Sequence, residues 1–289
     1  MNPRIAPVVQ RLFVASLFFE LFIGGSVQAQ NPPDHTGTAA QPAAAQLPAI
    51  PDQISAVPNR PTFSTTAESV QPGVFEIEYG FETADGHQNI NGLLKFGATK
   101  NLELRFANNP IERDRGVAGM GDSGAGFKYK MFTQKSWRPT FSVLYAVTIP
   151  TATAGVGVGA VGHSAGILAS KDFGQHHLDF NETAQWVGRP GASGFDRNYF
   201  TALAYSHPIR GKWGMTAEVA GFSWTNAATP ATMTLMGSAI YSVSPRLILD
   251  SGIYVAAYGQ LPRVTFFSGI TYSVADLYHR RNKPNVQAH

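Results

Sequence analysis

From Gly73 onward the chain repeats one pattern, segments of about ten residues in which apolar and polar side chains alternate, divided by Gly, Pro, Asn and Asp. In a strand, successive side chains point to opposite faces, so each such segment offers one apolar and one polar face. In the first, Phe75, Ile77, Tyr79 and Phe81 oppose Glu76, Glu78 and Glu82. The second sets Ile90, Leu94 and Phe96 against Asn91 and Lys95, and the third sets Leu102, Leu104 and Phe106 against Glu103 and Arg105. Phe127, Tyr129 and Met131 oppose Asp122, Lys128 and Lys130 in the fourth. Later segments place Glu218 opposite Trp213, Met215 and Val219, and Asp250 opposite Leu249, Ile253 and Val255. The apolar faces carry no charge except around Leu178, Phe180 and Trp186, where Glu182 lands among them. A bulge or a position at the rim would account for it. A side chain that faces lipid has no partner for a charge, and Lys or Arg at the bilayer midplane costs ~2–4 kcal/mol.

The pattern predicts twelve strands, over 73–83, 88–98, 101–108, 122–132, 140–150, 163–171, 177–187, 198–207, 212–224, 231–243, 246–256 and 264–274. Connections after the second, eighth and tenth are tight, whereas those after the third, fifth and seventh are longer and Gly-rich. Short turns on one side, longer loops on the other and an even strand number fit an all-β, antiparallel transmembrane barrel with both termini in the periplasm. Only 14% of residues are charged, against about a quarter in an ordinary soluble domain. A barrel gives that figure without any long apolar run, because lipid-facing and lumen-facing residues average out. The net charge of +3 comes without a Lys/Arg cluster of the kind that binds nucleic acid. The absence of Cys excludes a disulfide scaffold, a thiolate metal site and a Cys nucleophile.

The N-terminus reads as an export signal. Arg4 and Arg11 precede an apolar stretch from Leu12 to Ile23, and Val27-Gln28-Ala29 is small at the two positions that a signal peptidase reads. The expected division is therefore a signal peptide over 1–29, a Pro/Ala-rich flexible leader over 30–60, a barrel over 61–275 and a polar tail over 276–289. The leader earns its reading from composition, since it has few large apolar groups to offset the entropy of ordering.

Several short runs, in order, resemble a known family. They begin with Arg60-Pro61-Thr62-Phe63 and Glu68-Ser69-Val70-Gln71-Pro72-Gly73, and continue through Leu94-Lys95-Phe96-Gly97, Gly119-Met120-Gly121-Asp122 and Thr148-Ile149-Pro150-Thr151. Ser244-Pro245-Arg246-Leu247 and Gly269-Ile270-Thr271-Tyr272 complete the set. This order is similar to that of the outer-membrane barrel family named after the meta-pathway of phenol degradation. The resemblance implies a transporter that admits aromatic or other hydrophobic compounds, with no agreed catalytic or binding residues.

The functional candidates are the inward charges Glu76, Glu78, Glu82, Lys95, Glu103, Arg105, Lys128, Lys130, Glu218 and Asp250. As structural groups they would pair across neighbouring strands; as lumen-lining groups they would tune what passes a water-filled pore. Catalytic readings are weaker. Gly162-His163-Ser164-Ala165-Gly166 fits the G-x-S-x-G nucleophile elbow, but the helix that must follow is missing from the pattern. Gly121-Asp122-Ser123-Gly124 lacks the positioned His and Asp of a triad. His176-His177 could bind a metal, yet adjacent strand residues point to opposite faces. The residues thus predict an outer-membrane channel for passive uptake or efflux of small solutes, not an enzyme, with no cofactor and no metal. Its expected partners are outer-membrane lipid, the solute and the barrel-assembly machinery, with no nucleic acid. Two other readings stay open: a soluble periplasmic barrel with its apolar faces turned inward on a hydrophobic ligand, and an outer-membrane hydrolase using Ser164.

Overall fold

The computed structural model describes residues 53–114, 116–259 and 262–278. The signal peptide, most of the leader and the end of the tail lie outside the described residues. Among the described residues there are thirteen strands: β1 (Val74–Ala84), β2 (His87–Gly97), β3 (Leu102–Asp114), β4 (Val117–Gly119), β5 (Ser123–Phe132), β6 (Thr140–Ile149), β7 (Gly162–Phe173), β8 (His176–Gly188), β9 (Phe195–Arg210), β10 (Trp213–Phe222), β11 (Thr232–Ser244), β12 (Leu247–Tyr258) and β13 (Val264–Asp276). Each pairs antiparallel with the next, except that β4 folds back only on the outer end of β3 and β5 takes its place beside the rest of that strand. The pairing of β13 with β1 and of β2 with β3 closes a twelve-stranded barrel. Closure leaves no row of unpaired backbone groups, which is the condition for a sheet to lie in hydrocarbon. The twelve predicted strands all appear; β4 was not expected, and its three residues are too few to show a period.

One end carries short turns, such as 174–175, 211–212 and 245–246, and the other carries longer loops, including 150–161 and 223–231. Gly174 occupies one of these turns at φ 63°, a left-handed conformation that the tight reversal requires. The apolar faces turn outward. Leu104, Phe127, Ile167, Leu235, Ile253 and Phe266 are all exposed on the outer wall, while Glu76, Glu78, Lys95, Glu103 and Lys128 are buried inside. That orientation is the reverse of what a soluble barrel around an apolar ligand needs.

Glu182 keeps its place on the outer face, between Ile167 and Thr201, with no register shift on either side of β8. It is therefore neither at a bulge nor at the rim, contrary to the sequence expectation. Its compensation is a neighbour: the Thr201 hydroxyl donates to its carboxylate at 2.6 Å, and a carboxyl on the lipid face costs less than Lys or Arg. Asp122, expected on a strand face, instead lies in the loop before β5 and accepts from the Ala152 and Val158 backbone N–H groups.

Candidate functional site

Residues 53–73 run inside the barrel as a strap without regular structure. They enter at the short-turn end, where Ala56 N–H donates to Pro245 O at 2.8 Å. There Ala56 packs on Ile240 and Ile248, and Ile54 and Val57 pack on Val70 and Val74. The chain climbs along β1 and β12, turns near Phe63 and Ser64, and returns along β7 and β5 to Gly73. The last residues of the expected flexible leader, 53–60, are thus part of the packed lumen, Ile54, Ala56 and Val57 being almost completely buried.

An irregular segment in a closed bore has no sheet edge to bond to, so its backbone groups need other partners. The wall supplies them with charged side chains. Glu76 accepts from Val57 N–H at 2.9 Å, and Glu78 accepts from Asn59 and Arg60 N–H at 2.9 and 3.1 Å. Glu218 takes Phe63 and Ser64 N–H at 2.8 and 2.7 Å, and Glu103 takes Val70 N–H at 2.9 Å. On the acceptor side, Lys95 donates to Val57 O at 2.5 Å and Lys128 to Thr66 O at 3.1 Å. Uncharged groups finish the series: the Asn181 side chain bonds both N–H and O of Thr65, Ser170 accepts from Ala67 N–H, and Ser142 donates to Ala67 O.

The wall charges also pair with one another and with the strap's own. Lys95 lies between Glu76, at 2.6 Å, and Glu78, and both side chains of the Glu76–Lys95 pair are 0% exposed. Glu103 meets Lys128 at 3.3 Å and Arg105 at 3.1 Å. From the strap, Arg60 reaches Asp250 at 3.3 Å and Asn91 at 2.8 Å, and Glu68 reaches Lys130 at 2.9 Å and Thr140 at 2.6 Å. Gly80 and Gly269 face each other across β1 and β13, and a Cβ on either would overlap the Arg60 side chain. These two positions are small because the guanidinium lies against the wall there.

Of the charges expected to line the lumen, Glu76, Glu78, Lys95, Glu103, Lys128, Lys130, Glu218 and Asp250 bond or pair with the strap directly. Arg105 acts through Glu103, and Glu82 through Asn91, whose amide donates to it at 2.7 Å. Arg60, Glu68, Ser170 and Asn181 complete the site, and no local pattern marks them for it, since their partners lie far away in sequence. The two adjacent histidines divide as the period requires. His176 is outside, stacked on Tyr205 and His207. His177 is buried inside, 2.7 Å from Asp172 and 3.0 Å from Asp179, and Asp179 accepts from Ser170. Among the described residues no group of three or more His, Cys, Asp or Glu could hold a metal ion.

Gly162–Gly166 opens β7 rather than a strand-to-helix turn, so Ser164 does not sit on a nucleophile elbow. It faces the lumen nearer the long-loop end, beyond the strap. There a cavity of about 200 Å³ is bounded by Phe63 and Thr65 of the strap and by Leu144, Ser164, Leu168, Asn181, Thr183, Gln185, Phe200 and Phe222 of the wall. The strap thus fills one part of the bore, and beyond it lies this cavity, which no charged side chain bounds.

No family model and no curated protein matches the chain. Among solved structures it is similar to the COG4313 outer membrane channel from Pseudomonas putida F1, at 13% identity and a TM-score of 0.57 over 71% of this chain and 97% of that one. It is also similar to the NanC porin, at 9% identity and a TM-score of 0.50 over 69% of this chain and 100% of that one. At these identities the likeness is one of fold. A closed barrel of this kind with an apolar outer wall belongs in the bacterial outer membrane.

Proposed function

We propose that the chain is an outer-membrane channel for the passive passage of small solutes, aromatic or hydrophobic ones among them, and that residues 53–73 close its bore at rest. The single observation behind this reading is the commitment of the lumen charges to the strap. A purely structural barrel needs no buried carboxylates aimed at the backbone of an irregular segment, and buried ion pairs are costly as a means of stability. A segment held by side-chain contacts, outside the sheet ladder, is one that can leave without breaking the barrel. Once it moves, the same residues line an aqueous pore, where their field acts on a permeant and weakens as salt rises. The likeness of fold to outer-membrane channels supports the reading, as do the short landmarks between Arg60 and Tyr272 that resemble the phenol meta-pathway barrels. The short-turn end is then periplasmic, and the strap is reached from that side.

The test is solute flux into liposomes. Arg60→Met combined with Asp250→Asn removes a strap anchor and its partner together, leaving no orphan charge. The double variant is expected to admit a small neutral sugar several-fold faster than the parent, with an unchanged shift between boiled and unboiled samples on electrophoresis. A folded, reconstituted protein that swells no liposomes, as parent and as double variant alike, rejects the channel.

A further inference from the structure

The uncharged cavity beyond the strap has the composition of a binding site. Phe63, Phe200 and Phe222 supply flat apolar surface, and the rings of Phe200 and Phe222 lie 4.8 Å apart. Ser164, Thr183 and Gln185 supply polar groups, and among the described residues their side chains make no hydrogen bond. No charged side chain bounds the cavity. The ion pairs at Lys95, Lys128 and Asp250 involve none of the residues that bound it. A mostly apolar pocket with a few convergent polar groups is the usual form of a small-molecule site.

We infer that this cavity binds a small uncharged solute with a flat apolar body and one hydrogen-bonding substituent, seated on Phe63 of the strap. The inference rests on the channel reading only in taking the lumen as the route by which the solute arrives. The apolar body covers the three rings, and the substituent meets the unpartnered hydroxyl and amide groups. An anion of the same shape must shed its hydration into a pocket that offers no countercharge, which is unfavourable. An apolar molecule of the same shape leaves Ser164, Thr183 and Gln185 buried without partners, which a site built for hydrogen bonding discriminates against strongly. Because Phe63 belongs to the strap, a solute bound there touches the segment that closes the bore.

Three probes of nearly equal shape separate these terms: benzamide, benzoate and toluene. Binding to the full chain in detergent micelles is read by ligand-observed NMR, with competition against benzamide. Benzamide is expected to bind at least about tenfold more tightly than benzoate or toluene. Ser164→Phe, which fills the cavity, should abolish its binding while the unboiled electrophoretic shift stays as in the parent. Gln185→Leu keeps the cavity open and should narrow the preference for benzamide over toluene; it carries the test if Ser164→Phe does not assemble. Equal binding of benzoate and benzamide overturns the inference, as does benzamide binding that neither substitution changes. Since the readout needs no transport, a chain that binds but does not conduct rejects only the channel, and one that conducts but does not bind rejects only this site.

Discussion

Lys95→Met is expected to free the strap from the lumen while leaving the barrel wall assembled. Lys95 touches Glu76, Glu78 and the Val57 carbonyl, and it is completely buried. Methionine has similar length and no charge, so it strands two carboxylates that are themselves nearly inaccessible. Removing one partner from a buried ion pair costs about 3–5 kcal/mol, because the remaining charge has lost its compensation. Two routes relieve it, protonation of a glutamate or entry of water, and water enters only where residues 53–60 withdraw. The variant should therefore expose the strap to a protease added from the short-turn side, at a concentration that leaves the parent intact. Combining Lys95→Met with Glu76→Gln and Glu78→Gln removes the charges together, and should recover much of the protection, a non-additive result expected of groups in one network. Protease resistance in Lys95→Met equal to that of the parent would show that the network does not hold the strap.

Ile253→Arg is expected to block assembly of the barrel in membranes. Ile253 is well inside β12, exposed on the outer wall at 40%, with Gly237 and Phe266 as its cross-strand neighbours. None of these can pair with a guanidinium, and a cation at the midplane costs ~2–4 kcal/mol. Such a cost is a large part of the net stability of a domain. Ile253→Val keeps the face apolar and should assemble as the parent does. Recovery of heat-modifiable Ile253→Arg from the outer membrane at the parent's level would place that face away from lipid.

The wall was legible in the sequence because both its sides impose rules on single residues. Lipid rejects charge from one face, so the alternation from Phe75 to Phe81 or from Leu102 to Phe106 marks each strand and divides its apolar face from its polar one. Glu182 breaks the rule, and the reason, a hydroxyl from Thr201 on the adjoining strand, is a contact that alternation does not encode. The strap was not legible. The Pro, Ala, Gln and Thr that dominate residues 30–60 read as a chain that cannot bury enough surface to order itself, and the strap begins inside that stretch. It is ordered by side chains distant in sequence, Glu218 lying 155 positions from Phe63 and Asn181 lying 116 from Thr65. The inward charges stand out by their period, whereas nothing local marks the strap as their partner. Ser164 carries a spacing that belongs to another fold; that it shares an inner-wall cavity with Phe63, Phe200 and Phe222 follows only from the strand pairing and the course of the strap.

Whether residues 53–73 close the bore decides between a gated channel and a barrel whose strap is only structural. The direct measurement is single-channel conductance in planar bilayers, comparing the parent with a chain in which residues 53–70 are replaced by a short Gly/Ser linker. The strap fills the charged part of the lumen, so its removal leaves a water-filled passage lined by Glu76, Glu78, Lys95, Glu103 and Lys128. Conductance is expected to rise by about tenfold or more, with an ion selectivity that fades as salt screens those side chains. Equal conductance from two chains that are both heat-modifiable, and hence folded, would contradict the account.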